Sequence, residues 1–146
     1  MIVMSGYDQQ KINVYKGYIG ERLAAKYLKK QSYQVQSFMV LVDFIVNHTK
    51  SPLHDWMGDK IDDFIKMNKA FNKIYSGSQH GRRALDFIAK KDGKFYAVEV
   101  KTNSSKLSEN QEKELELSKK FGFTPIIVKT KVTLVAKLED VELLML

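Results

Sequence analysis

Residues 82–101 read RRALDFIAKKDGKFYAVEVK, and the fold turns on how this stretch doubles back on itself. Asp92-Gly93 stands between two runs of alternating character, 82–89 and 94–101, a strong short-range signal for a hairpin with a two-residue turn. With Lys91 opposite Lys94, the register runs on to set Asp86 opposite Glu99 and Ala84 opposite Lys101. Side chains alternate across a strand, so Glu99 and Lys101 share one face and Asp86 joins them. Tyr96, Val98 and Val100 take the other face, which is apolar and has to be covered.

Two carboxylates facing each other across a ladder repel. A divalent cation removes the conflict, because hard ions such as Mg²⁺ are held by one or two carboxylates together with water and substrate phosphate. Lys101, two residues from Glu99, then supplies a positive charge beside the ion. The alternative is a solvated hairpin face on which Lys101 pairs with both acids. Such faces carry mixed charges and Thr, whereas the neighbours here are Ala84, Ile88, Phe95 and Ala97.

Outward from the hairpin the chain alternates helix and strand. Residues 13–31 read as a helix closed by Lys29-Lys30, whose charges suit a helix C-terminus. Within it Glu21 is flanked at helical spacing by Val14, Gly17, Tyr18, Ala24, Ala25 and Leu28. A lone carboxylate in such a stripe is costly unless paired or metal-bound, and its small neighbours allow close packing on the sheet. Residues 33–40 read as a strand. Residues 41–75 read as helix in two pieces divided at Ser51-Pro52, the second carrying the stripe Met57, Ile61, Phe64, Ile65, Phe71 and Tyr75 as core or dimer surface. SGSQHG at 76–81 is a loop. Ser108 is the expected N-cap of a helix running to Lys120, with Gln111 at the capping-box position and Gly122 as its stop. A strand follows at 124–130, and the apolar tail 141–146 requires burial. The order predicts an α/β fold with a central mixed β-sheet flanked by helices and a helical insert at about 41–79, in a single domain spanning 1–146.

Leu85-Asp86, twelve intervening residues and Glu99-Val100-Lys101 together resemble the signature of the PD-(D/E)XK nuclease superfamily. The wider pattern is similar to archaeal and viral Holliday junction resolvase-like nucleases. GYIGERLAAKYLKK at 17–30 matches their first helix, and LSENQEKELELSKKFGFTPIIVK at 107–129 their polar loop, helix and strand. The resemblance covers about residues 14–40 and 80–130. It implies a restriction-endonuclease-like core and a Mg²⁺- or Mn²⁺-dependent endonuclease acting on DNA, structure-selective for Holliday junctions or other branched DNA, and a homodimer. By it Asp86, Glu99 and the Val100 carbonyl hold the metal, Glu21 acts directly or through water, and Lys101 is the catalytic lysine. Gln111 positions DNA or the active-site loop. Two features depart from the pattern: Leu85 stands where the family has proline, and the insert 41–79 is longer than the resolvases carry there. The Gln-x-x-x-Tyr motif of the RecB-like branch is absent, since Leu115 follows Gln111 at that spacing.

Composition is compatible with this and narrows it. Of 146 residues, 24 are Lys or Arg and 17 Asp or Glu, for a net charge of +7, which favours a polyanionic partner. His80, Arg82 and Arg83 before Asp86, and Lys106 with Asn103, Ser104 and Ser105 after Lys101, are the expected contacts to the DNA backbone. The chain has no cysteine, which excludes disulfides, thiolate zinc sites and the iron–sulfur relatives. No signal peptide is evident, and the longest apolar run, 38–46, is far short of the ~20 residues that span a bilayer. The expectation is a soluble cytoplasmic protein with no membrane partner. His48, His54 and Asp55 straddle a turn, and Asp59, Asp62 and Asp63 sit near a helix start, so neither group reads as a metal site. A catalytically inactive or partner-dependent DNA-binding protein on a nuclease fold is the competing reading. A membrane-surface or RNA-binding module would rest on charge alone and explains none of the acid placement.

Overall fold

The computed structural model describes residues 6–76 and 85–133. It is an α/β fold with a four-stranded mixed sheet. Helix α1 (Gly6–Lys30) leads through the turn at Ser32 into β1 (Gln34–Ser37). Three helices follow, α2 (Phe38–Asn47), α3 (Pro52–Met57) and α4 (Ile61–Ile74), with a 3₁₀ turn at Gly58–Lys60. The hairpin is β2 (Phe87–Lys91) and β3 (Lys94–Thr102), and α5 (Glu109–Lys120) crosses to β4 (Thr124–Thr130). The strand order is β1-β2-β3-β4, antiparallel except for the parallel pair β3–β4. Among the described residues, no helix is long and apolar enough to cross a membrane.

The hairpin has the expected register, with Lys91 opposite Lys94 and Phe87 opposite Val98. Asp92 and Gly93 both have positive φ, 51° and 74°, as a turn that matches the right-handed strand twist requires. Strand β2 starts at Phe87, because Asp86 leaves the ladder in a bend, and residues 82–84 of the expected strand lie outside the described residues. Two other boundaries move. The strand expected over 33–40 ends at Ser37, whose hydroxyl accepts a hydrogen bond from the N–H of Val40 and caps α2. The apolar run after it carries helical spacing, burying Phe38, Leu41 and Ile45, so the helical insert begins at Phe38 rather than 41. Helix α1 begins at Gly6 rather than 13, and Gln9 donates to Asn13 one turn on across this added stretch.

Both faces of the sheet are covered. On one, Phe95, Ala97 and Ile88 pack with Phe38, Leu41, Met57, Phe64, Met67, Phe71 and Phe123 from the insert and the α5 region. The stripe on the second insert piece is therefore core. On the other, Val98, Val100 and Ala89 pack against Ala24 and Leu28 of α1. Gly20 lies where α1 comes closest: a Cβ there would run into the hydroxyls of Thr102 and Thr130, which are paired across β3 and β4 at 3.0 Å. Only glycine fits, and the close approach carries the next residue, Glu21, to the strand ends.

Candidate active site

The site lies where β2 begins and β3 ends. Asp86 steps out of the ladder and its Oδ2 accepts a hydrogen bond from the N–H of Val100 at 2.7 Å. A side chain thus takes the role that a backbone carbonyl would have had in the next rung. Glu99, on the neighbouring strand, is 3% exposed. Its Oε1 accepts from Gln111 Nε2 at 3.0 Å. Its Oε2 is buried and, among the described residues, has no hydrogen-bond partner. Glu21 reaches Asp86 from α1, so acids from one helix and two strand ends meet at one place.

The electrostatics follow from that meeting. Burial first, then the charge of Asp86, pushes the Glu99 carboxyl up to about 9 from an ordinary 4.5; Lys101 pulls it down, while Glu114 and a hydrogen bond to Asp86 add to the rise. Glu21 is pushed up to about 7, again by burial first, then by the charge of Asp86 and a hydrogen bond to it. Both glutamates therefore hold a proton to higher pH than a free carboxyl does. Ionising these acids together would build up negative charge on one spot.

Lys101 does not neutralise it by direct pairing. Its Nζ donates to Gln111 Oε1 at 2.6 Å, and among the described residues it makes no ion pair within 4.0 Å. Gln111 is the hub. Its Oε1 also accepts from the N–H of Ser108 at 2.9 Å, and its own N–H is capped by Ser108 Oγ at 3.1 Å. The capping box expected at the start of α5 is present in full, and the same side chain fixes Glu99 and Lys101 relative to the helix.

Asp86, Glu99, Val100, Lys101, Gln111 and Glu21 are thus brought together. Among the described residues, no three His, Cys, Asp or Glu side chains are arranged to enclose an ion as they stand. The fit of a hard cation is to the orphaned Oε2 of Glu99 beside Asp86, since such ions need only one or two carboxylates. The Val100 contact seen is its N–H, given to Asp86. Of the expected stripe around Glu21, Ala24 and Leu28 are buried, but Val14 and Tyr18 are more than half exposed. The first turns of α1 project beyond the sheet, which leaves Glu21 at the edge of a cleft.

That cleft holds about 520 Å³ and is lined by Glu21, Lys16 and Gly17 on α1 and by Val100 and the segment Thr102 to Ser105. Lys106 is exposed and lies outside it. His80, Arg82 and Arg83 lie outside the described residues. The N–H of His54 donates to Oγ of its cap Ser51 at 3.3 Å, and Asp63 pairs with Lys60 at 3.5 Å, both ordinary helix-start contacts. Two features of the site were not foreseen from sequence. Gln111 serves Glu99 and Lys101 together, and Glu114, fully buried, adds negative charge next to Glu99. The signal for both was the spacing on α5, where Gln111, Glu114, Leu115 and Ser118 fall on one face. Compared with known protein families, curated proteins and solved structures, the chain matches none.

Proposed function

We propose that this chain is a metal-dependent deoxyribonuclease of the PD-(D/E)XK type with a restriction-endonuclease-like core, hydrolysing phosphodiester bonds. One observation carries the reading. Asp86 and Glu99 are pressed together at two strand ends, Glu99 is left with a buried oxygen lacking a donor, and Lys101 stands two residues away without pairing to either. A protein that wanted only stability would replace one acid or pair it, because uncompensated buried charge is strongly destabilising.

Asp86 and Glu99 would hold Mg²⁺ or Mn²⁺, with the Val100 carbonyl beside them and Glu21 contributing directly or through water. When bound, such an ion polarises a phosphoryl oxygen and lowers the pKa of a bound water. Lys101 aims its ammonium at the charge that develops as water adds to phosphorus and the bond to the leaving oxygen breaks. Gln111 keeps that ammonium and Glu99 in fixed relation, so little reorganisation is needed at the moment of reaction. Branched DNA, a Holliday junction first, is the substrate we propose, and a homodimer the working assembly.

The test is cleavage of end-labelled four-way junction, flap, duplex and single-stranded DNA, each with and without Mg²⁺ or Mn²⁺. Cutting that requires the ion is the expected result. Salt-dependent DNA binding with no cutting of any substrate would instead make the chain an inactive or partner-dependent DNA-binding protein.

A further inference from the structure

Gly17 and Gly20 are three residues apart on α1, and the protein explains only one of them. Gly20 is forced by Thr102 and Thr130. At Gly17 an added Cβ would meet nothing within 4 Å among the described residues. Glycine is the poorest helix former after proline, and Gly17 lies well inside a 25-residue helix. Among the described residues, no neighbour, turn or positive φ accounts for it. Glycine in such a place is the usual answer where a ligand must approach the backbone closely.

Gly17 faces the polar cleft one turn before Glu21, with Asn13 one turn earlier and Lys16 alongside. The far wall of this cleft, Asn103 and Ser104, is also the wall of a second cavity of about 610 Å³. The second cavity runs on past Lys129, Thr130 and Lys131 beside the end of β4. Among the described residues, the charged side chains along the two cavities are Lys16, Lys129 and Lys131 and, at the active-site end, Glu21. Apart from Gly17, Val100 and Val132, the rest of the walls are side-chain amides and hydroxyls, groups that contact phosphates without reading bases.

We infer that these two cavities form one track for the sugar–phosphate backbone of a DNA strand, which crosses α1 at Gly17 and is held at its phosphates by Lys16, Lys129 and Lys131. The inference rests on the nuclease reading for the chemistry at its Glu21 end, and it assigns the strand path that the basic residues near Asp86 do not describe. The bare helix surface at Gly17 lets the strand lie close to α1, and Lys129 and Lys131 fix where it leaves.

The experiment measures binding of labelled single-stranded and duplex DNA without divalent ions, over a salt series, and cleavage separately with Mg²⁺. Gly17→Leu should fold with a melting temperature at or above wild type yet bind at least about tenfold more weakly. Gly17→Ala, the smaller step, should be more stable than wild type and only slightly weaker in binding. Lys129→Ala with Lys131→Ala should reduce the slope of log affinity against log salt by roughly one for each lysine removed. Folded Gly17→Leu that binds and cuts as wild type does would overturn the track while leaving the nuclease reading intact. Binding that depends on Gly17 in a protein that cuts nothing would keep the track and end the nuclease reading. Wild type that binds neither DNA, or binds only RNA, would overturn the track.

Discussion

Two buried regions of this molecule, both built on the same hairpin, follow opposite principles. On the insert side Phe38 lies 5.4 Å from Phe64 and 5.7 Å from Phe71, ring to ring, and Phe95 lies 6.0 Å from Phe123. Every side chain there gains by leaving water, and tilted ring packing adds to the gain. At the other end of β3, Glu99 leaves water at a cost, beside Asp86 and within the field of Glu114. The aromatic cluster holds the strands so firmly that the acids have no freedom to separate. The second region is maintained in spite of its energy, and the first makes that possible.

The largest effect should come from the aromatic side. Phe38→Ala removes the ring that touches both Phe64 and Phe71, and should lower unfolding free energy by about 3–5 kcal/mol in a denaturant titration. A loss below about 1 kcal/mol would mean that the cluster is not what anchors the strand ends. Next comes Lys101→Ala, with the opposite signature. Strand cleavage should slow by about 10²–10³, while the denaturation midpoint scarcely moves, because Lys101 makes no ion pair to the acids. DNA affinity should fall only modestly, one phosphate contact among several being a small part of salt-dependent binding. A variant that unfolds readily and cuts normally while folded would return Lys101 to a structural role.

The pH dependence of stability separates the regions more gently. The Glu99 carboxyl, at about 9 when folded and near 4.5 when unfolded, binds its proton more tightly in the folded state. Its contribution is therefore full below about 4.5 and is lost as pH rises towards about 9. Glu21 adds a loss of the same sign between about 4.5 and about 7. Ion-free protein should thus become less stable from mildly acidic to alkaline pH, and Glu99→Gln should flatten the trend, since glutamine keeps the acceptor for Gln111. An unchanged slope in that variant would remove Glu99 as its source. Glu21→Gln should preserve the fold and lower cleavage; intact cleavage with a weakened fold would take Glu21 out of the site.

Much of this was legible in the sequence where local rules act. Asp92-Gly93 fixed the register because only a turn with two positive φ values suits it, and the register alone brought Asp86 to Glu99. Ser108 and Gln111 marked the start of α5 through a four-residue motif. Other parts depended on packing that no short window contains. The run after Ser37 is apolar enough for a strand or a helix, and its helical form is settled by what Phe38, Leu41 and Ile45 bury against. Gln111 was visible as a cap, but its hold on Glu99 and Lys101 requires α5 to lie across the end of β3. Glu114 lies on a helix rich in charged residues and is nonetheless fully buried, which only the packing of α5 on the sheet reveals. The expected phosphate contacts at His80, Arg82 and Arg83 fall outside the described residues, and Lys106 lies outside the cleft, where Lys16 takes the rim position.

The central claim is that the acids at Asp86 and Glu99 are kept together to hold a divalent ion. It is tested most directly by the melting temperatures of wild type and Asp86→Asn, with and without excess Mg²⁺ or Mn²⁺. Asparagine can still accept the hydrogen bond from Val100, so the variant removes the charge and spares the geometry. For wild type, ion at a hundred times its dissociation constant should add about 2.7 kcal/mol of stability, and more ion should be needed at lower pH, where the acids hold their protons. Asp86→Asn should show no ion-dependent rise and, ion-free, should be as stable as wild type or more so. An equal rise in both proteins, no rise in wild type, or an ion-free variant that unfolds much more readily would contradict the claim.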